Sequence, residues 1–286
     1  MNLVHFHGRP MLRKMRKLAG RIPGLKSLRA LVGRVYIRRA LRTIAADPKR
    51  LEHYGFRVYS QNDEDGIIAH IFHVIGMANM SFIECGAGDG TENNTRKLLN
   101  EGWHGLWIDG DRQNVEIIRT TMDRQISAGQ LSVTCAFITR ENINDLILAA
   151  GFSGEVDLLS IDIDGNDAHV WRAISAVKPR VVCIEYNAFH RPPIEWTSDY
   201  DPDFRWDGHI GSSGASLKLL ERIGNEKGYA LVGCNITGVN AFFVRRDLGN
   251  ERFSAPFTAE HHFRRWLMAS IPHVSTEPAG VSAPGV

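Results

Sequence analysis

The chain has 286 residues, 43% of them hydrophobic, with four cysteines, 34 Lys or Arg and 32 Asp or Glu. That length buries one substantial core, so a single catalytic unit with appendages is expected instead of two equal domains. No run of eighteen apolar residues occurs, and the N-terminus carries bases where a signal peptide needs an apolar stretch, so neither a membrane-spanning helix nor a secretory leader is expected, and the expected location is cytoplasmic, with contact to the inner face of the membrane left open.

Charge is unevenly placed. Residues 1–50 hold fourteen bases and one acid, Asp47, for a charge of +13, while the 20 bases and 31 acids beyond them give −11. Within residues 11–46 apolar side chains such as Leu25, Leu28 and Leu31 recur at helical spacing, and Pro23-Gly24 divides two helical pieces. Such a basic arm suits an anionic membrane surface or another polyanion, and equally a helix packed on the acidic body. The expected layout is an arm over 1–50, a body over 51–268 and a disordered tail of small residues and Pro over 269–286.

From residue 59 the pattern alternates. The spacing predicts a helix over 67–75, a strand over 81–85, a helix over 92–99 with Thr91 as N-cap, and a strand over 106–108. A helix over 115–126, a strand over 131–138, a helix over 144–150 and a strand over 156–161 follow, then a helix over 168–176, a strand over 181–184 and a helix over 216–223. This β-α alternation implies a parallel sheet covered on both faces. The last two strands, 229–234 and 239–244, are separated by only Asn235-Ile236-Thr237-Gly238, too short for a helical crossover, so they are expected to be antiparallel neighbours. A doubly wound, Rossmann-like α/β sheet, mostly parallel and finished by an antiparallel hairpin, is the layout of the class I methyltransferase fold.

The 81–85 strand runs into Glu84-Cys85-Gly86-Ala87-Gly88-Asp89-Gly90. Glycine lets such a loop turn at positive φ and lets a ligand approach with no Cβ in the way. The spacing differs from the dinucleotide pattern G-x-G-x-x-G, and Glu84 and Asp89 repel a pyrophosphate while tolerating the amino and sulfonium groups of S-adenosylmethionine. Asp109 ends the next strand, nineteen residues past Gly90, where an acid accepts ribose hydroxyls. Phe137, Ile138 and residues 139–142 form a wall for adenine at the third strand end. The expected cofactor residues are therefore Glu84, Gly86, Ala87, Gly88, Gly90, Asp109 and Ile138. The purely structural alternative makes Glu84 a helix-capping or ion-paired acid and Asp109 a turn residue.

The 156–161 strand ends in Asp162-Ile163-Asp164-Gly165-Asn166-Asp167, and the 181–184 strand in Glu185-Tyr186-Asn187. Open α/β sheets bind ligands at these carboxyl ends. If the strand continues, Asp162 and Asp164 point the same way, and with Glu185 and Asn187 they offer oxygen ligands to a hard cation such as Mg²⁺. A cation there lowers the pKa of an acceptor hydroxyl, and a remaining carboxylate removes its proton. Asn166 or Asp167 is expected to cap the helix that begins at Ala168. His70 and His73 lie one helical turn apart without a third ligand, and read as ordinary core or surface histidines. The four cysteines lie in or beside strands and read as small buried hydrophobes. Residues 187–214, with His190, Arg191, Asp207 and His209, form a long irregular connection that reads as a substrate lid or a packed surface loop.

Taken as an ordered set, Tyr59-Ser60-Gln61 with Glu64-Asp65, Phe82-Ile83-Glu84-Cys85-Gly86-Ala87-Gly88-Asp89-Gly90, Asn94-Thr95, Gly102-Trp103, Trp107-Ile108-Asp109, the run from Ser160 to Gly165 and Ile184-Glu185 resemble the FkbM-type family of S-adenosylmethionine-dependent methyltransferases. The likeness spans residues 58–187 and leaves both ends of the chain outside. It implies methyl transfer to a hydroxyl of a sugar, glycan or small natural product. The more distant macrocin-type O-methyltransferases are similar at the Asp-x-Asp strand end. Carried over, Asp162 becomes a metal ligand, Asp164 the general base and Glu185 a second ligand, while Tyr186 stands where those enzymes have another acid and Asn187 is the available substitute. The resemblance thus implies S-adenosylmethionine as cofactor and admits Mg²⁺ as a second. No Asn/Asp-Pro-Pro-Tyr follows the fourth strand, which disfavours amino-group methylation. Competing readings are a nucleic-acid methyltransferase that uses the arm, opposed by the acidic body, a nicotinamide oxidoreductase, and a non-catalytic membrane-associated nucleotide-binding protein.

Overall fold

Seven apolar runs meet in one sheet: β1 (Ser81–Cys85), β2 (His104–Asp109), β3 (Leu131–Cys135), β4 (Gly154–Ile161), β5 (Val177–Glu185), β6 (Tyr229–Cys234) and β7 (Asn240–Arg245). Their order is β3-β2-β1-β4-β5-β7-β6. The first five are mutually parallel, and β7 lies antiparallel between β5 and β6. The computed structural model describes residues 35, 37–42, 44–206 and 211–267. The division of the arm at Pro23-Gly24, the residues Asp207 and His209 and the tail over 269–286 lie outside them.

The helices are α1 (Glu64–Ile75), α2 (Arg96–Asn100), α3 (Arg112–Thr121), α4 (Asp123–Ser127), α5 (Ile143–Ala149), α6 (Asp167–Ala173), α7 (Leu217–Glu226) and α8 (Ala259–His262). Successive residues of a strand point to opposite faces, and the core divides accordingly. Phe82, Trp107, Leu158 and Val181 pack with Ile67 and Ile71 of α1, Leu98 of α2 and Ile118 of α3. Their neighbours Ile83, Leu106, Leu159 and Val182 pack on the other side with Ile147 of α5, Trp171 of α6 and Leu220 of α7. Both faces are covered, which is why these strands read as continuous apolar runs. The strand order and the antiparallel β7 define the class I methyltransferase sheet.

Several boundaries differ from expectation; β5 begins at Val177 instead of 181, and α6 ends at Ala173 instead of 176. The helix expected over 92–99 begins only at Arg96, because the N–H groups of Asn94 and Thr95 are donated to the carboxylate of Glu84. The helix expected over 115–126 divides at Met122 into α3 and α4. The third strand ends at Cys135 instead of 138, since Asn142 donates to Phe137 O and accepts from Thr139 N, closing a turn there. Cys85, Cys183 and Cys234 are buried, whereas Cys135 is exposed.

Residues at the end of the expected arm are tied to the body. The Arg50 guanidinium bonds Glu52 and the carbonyl of His261, and Lys49 Nζ reaches Glu251 O. Residues 37–42 are helical. Among the described residues no helix is long and apolar enough to cross a membrane.

Candidate active site

β1 and β4 are adjacent, and between them the chain order of the sheet reverses, which places a crevice at their carboxyl ends. Gly86 shows how close the two loops come. Its φ is +85°, and a Cβ there would lie 1.8 Å from the carbonyl oxygen of Asp162. Gly86 N donates to Ile108 O at 2.8 Å and Asp162 N to Cys85 O at 3.0 Å, so the loops after β1, β2 and β4 are bonded into one platform. Gly88 and Gly90 also have positive φ, and Ala87, between Gly86 and Gly88, is buried.

Asp109 is engaged by this platform. Its Oδ2 accepts Gly88 N at 2.7 Å, while Oδ1 accepts Asp111 N at 2.9 Å and Asn114 Nδ2 at 3.0 Å. A carboxylate offers about four acceptor positions, so the three donors leave room for a further donor such as a ribose hydroxyl. Glu84, expected as a direct cofactor contact, is drawn inward. It is 2% exposed and accepts from Asn93 Nδ2 (2.8 Å), Asn94 N (2.8 Å), Thr95 N (3.1 Å) and Thr95 Oγ1 (2.5 Å). Burial raises its carboxyl and these bonds pull against the rise. The capping reading of Glu84 therefore accounts for its carboxylate. Ile138 is buried in the core beside Ile143, with its neighbour Phe137 lying against Gly110 and under the Arg205 guanidinium, 3.2 Å from the ring centroid.

After β4 the strand does not continue to Asp164. Asp164 adopts φ +65°, a left-handed conformation that Asp tolerates better than most residues. Asp167 holds this turn, with Oδ1 accepting Ile163 N and Oδ2 accepting Gly165 N, both at 2.9 Å. Burial raises the Asp167 carboxyl to about 6, with Asp164 adding to the rise. The turn brings one carboxylate oxygen each of Asp162, Asp164 and Glu185 within 4.8 Å of one another, the cluster among the described residues with that geometry. Hard oxygens from two neighbouring strand ends fit a small divalent cation such as Mg²⁺. Asn187, the other expected ligand, donates its Nδ2 to Ser213 O at 2.8 Å, and its Oδ1 accepts Phe189 N at 3.0 Å. Asp164, expected as the base, joins the carboxylate group.

The connection from β5 to α7 crosses the edge of the sheet. Asn166 Nδ2 donates to Asp201 O instead of capping α6, Phe204 lies over Gly165, and Arg205 reaches Phe137 beyond β3. His70 stacks on Tyr54 at 3.3 Å between ring centroids, and burial lowers it to about 4. It has no part in the acid cluster.

A small polar cleft opens here, lined by Gln61, Glu84, Gly86, Ala87, Glu92, Asn93, Asn94, Asp162, Val239 and Asn240. Sequence reasoning gave no role to Gln61, Glu92, Asn93, Asn94, Val239 or Asn240. Gln61 is placed by a local device: Asp65 Oδ2 accepts the N–H groups of Val58, Tyr59 and Ser60, which folds the chain ahead of α1 back on itself. Behind the cleft Glu64 is fully buried and accepts Asn62 N, Asn235 Nδ2 and Asn240 Nδ2 at 2.7 to 2.9 Å. The Ser-Gln-x-x-Glu-Asp spacing was the available signal for Gln61 and Glu64. Nothing local marked Asn240.

No family model matches the chain, and no curated protein matches it. Among solved structures, an O-methyltransferase from Bacillus cereus in complex with SAH is 16% identical at a TM-score of 0.43, over 73% of this chain and 89% of that one. A methyltransferase from Geobacter sulfurreducens is 13% identical at 0.42, over 86% and 98%. Spermidine synthase from Thermotoga maritima is 16% identical at 0.39, over 66% of this chain and 60% of the synthase, so this chain spans less than two thirds of that protein's length. At such identities activity and acceptor do not transfer with the likeness. The strand order of the chain itself carries the fold.

Proposed function

We propose that the chain is an S-adenosylmethionine-dependent O-methyltransferase of FkbM type, acting on a hydroxyl of a sugar, glycan or small natural product. The observation that carries this reading is the assembly of Asp162, Asp164 and Glu185 at the ends of β4 and β5, beside a tight glycine loop at the end of β1. Gly86 has no room for a side chain, and the loop's backbone and the acids around it suit a cationic ligand better than a pyrophosphate. When bound, the cofactor supplies an electrophilic methyl group on sulfonium.

In the proposed reaction the acceptor oxygen forms a C–O bond to that methyl as the C–S bond breaks, S-adenosylhomocysteine leaves, and the hydroxyl proton passes to Asp164. Asp162 and Glu185 orient the acceptor oxygen and would hold Mg²⁺ if the enzyme uses it, with the ion lowering the hydroxyl pKa. Alignment of the two reactants contributes about 7 to 11 kcal/mol of the barrier reduction and the base about 10² to 10⁴ in rate. The charge of residues 1–50 supports contact with an anionic membrane from the cytoplasmic side, tested by salt-sensitive sedimentation with anionic vesicles.

Calorimetry with S-adenosylhomocysteine and NAD tests the cofactor. Mass spectrometry of glycans and small metabolites from cells with the wild-type or the Asp164→Asn protein tests the reaction through a methyl-sized mass difference. Binding of NAD alone, or identical metabolite profiles from the two proteins, would overturn the proposal.

A further inference from the structure

Aromatic side chains beyond β5 are mostly engaged: His190 stacks on Trp196 at 3.8 Å between ring centroids, Phe204 lies over Gly165, and Tyr186 packs against Phe263. Phe189 and Trp266 are the exceptions. They are 55% and 36% exposed, the two exposed Phe, Tyr or Trp side chains among the described residues, and they meet each other with ring centroids 5.8 Å apart and planes tilted by 37°. Two rings brought together from distant segments and left open to solvent form a surface that a ligand can cover, and covering it is favourable.

Both rings are fixed at the rim that carries the acid group. Phe189 N donates to Asn187 Oδ1 at 3.0 Å in a turn just beyond Glu185, and four residues of chain keep its Cα within about 14 Å of that of Glu185. Tyr186 donates its hydroxyl to Arg264 O at 2.7 Å, and Thr237 O accepts Leu267 N at 2.8 Å, which anchors the segment carrying Trp266 to the end of β5 and to the turn between β6 and β7. A polar wall joins the pair to the acid turn. Ser198 Oγ donates to Gly165 O at 3.4 Å and accepts Gly214 N at 3.2 Å, Ser213 O accepts from Asn187, and Gly211 lies against Phe189.

The shape of the pair selects among acceptors. The rings are in contact, which leaves no slot between them for a flat aromatic molecule, and their outer side is open to water. A wholly apolar ligand needs a pocket that covers most of its surface. A six-membered sugar ring lays its C–H face on an aromatic ring and keeps its hydroxyls in water or on polar groups, so an open platform beside carboxylates suits it. The exposed part of the pair is about 200 Å², enough for one or two sugar faces and below the patches of more than a few hundred Å² that mark protein or membrane docking. We propose that Phe189 and Trp266 form an acceptor subsite that stacks a sugar ring of a glycan, selecting an oligosaccharide over a non-sugar alcohol for methylation at the acid group. This rests on the O-methyl-transfer reading and narrows its acceptor. The two side chains determine specificity and take no part in the chemistry of transfer.

The test measures methyl transfer by the full chain from S-adenosylmethionine carrying a deuterated methyl group, against a panel of pyranose oligosaccharides and a panel of cyclic and open-chain alcohols without a sugar. Transfer is expected to the oligosaccharides. On the best of these, Phe189→Ala and Trp266→Ala are each expected to raise KM about tenfold with kcat unchanged, the scale of one lost stacking face, while calorimetry with S-adenosylhomocysteine gives the wild-type affinity. Phe189→Tyr and Trp266→Phe are expected to restore KM, and thermal melting checks folding. Transfer to the non-sugar alcohols alone, or alanine variants with the wild-type KM, overturns the subsite and leaves methyl transfer intact. Weaker sedimentation of the alanine variants with anionic vesicles at unchanged KM assigns the pair to a membrane surface and likewise overturns it. No transfer to either panel overturns the O-methyl reading together with the subsite.

Discussion

Gly86 is the residue with the least freedom at the site, because positive φ and the Asp162 carbonyl both act against any side chain there. Gly86→Ala is expected to destabilise the fold by more than about 1 kcal/mol and to abolish S-adenosylhomocysteine binding, read by thermal melting and calorimetry. Asp164 is the opposite case, since its backbone is held by Asp167 and its carboxylate is presented to the acid group. Asp164→Asn keeps the shape of the turn and removes the base. Turnover is expected to fall about 10² to 10⁴-fold while the affinity for S-adenosylhomocysteine stays unchanged, a split that a folding defect does not produce. The sequence marked both residues. It did not show that Asp164 would sit outside the strand, because the turn depends on the buried Asp167 receiving two backbone N–H groups.

At the level of elements, the two rims of the sheet carry different duties. On the rim opposite the cleft Asp157 is fully buried and accepts Ala78 N, Asn79 N and Met80 N at 2.7 to 2.9 Å, fixing the turn that leads into β1. Asp157→Ala leaves those donors unpaired and is expected to cost about 3 kcal/mol in denaturant unfolding without altering ligand affinity in the protein that remains folded. The acid group at the ends of β4 and β5 behaves differently, since its carboxylates repel one another. Mg²⁺ is expected to raise the melting temperature of the wild type and to leave Glu185→Gln unmoved, which reads the ion without reference to activity. The late start of α2 belongs to the same scale. Capping signals at Thr91 were legible, but Glu84 from a neighbouring strand competes for the N–H groups of Asn94 and Thr95 and wins.

For the molecule as a whole, the acids packed behind the cleft couple stability to pH. Burial pushes the Asp63 carboxyl up to about 8, and Glu64 and Glu52 add to the rise. An acid whose pKa is raised by folding contributes stability that is present below its ordinary value near 3.8 and is lost as pH rises through about 8. Asp63→Asn removes this titration, so the variant's melting temperature is expected to gain on the wild type's as pH rises from about 4 to about 8, and to hold a constant lead above that.

The sequence by itself determined the alternation of strands and helices, the parallel sheet with its closing hairpin, and the glycine and acid clusters at the strand ends. These are properties of neighbouring residues: side-chain period, turn chemistry and the fit of an apolar run to a sheet covered on both faces. Only the tertiary structure decided how those clusters are used. Glu64 and Asn240 are 176 residues apart in the chain and bonded at 2.9 Å, Asn94 reaches Ser160 across 66 residues, and Asn187 is spent on Ser213. Whether a buried carboxylate meets a ligand or a backbone N–H depends on which donors the fold delivers to it, and no local pattern in the chain records that delivery.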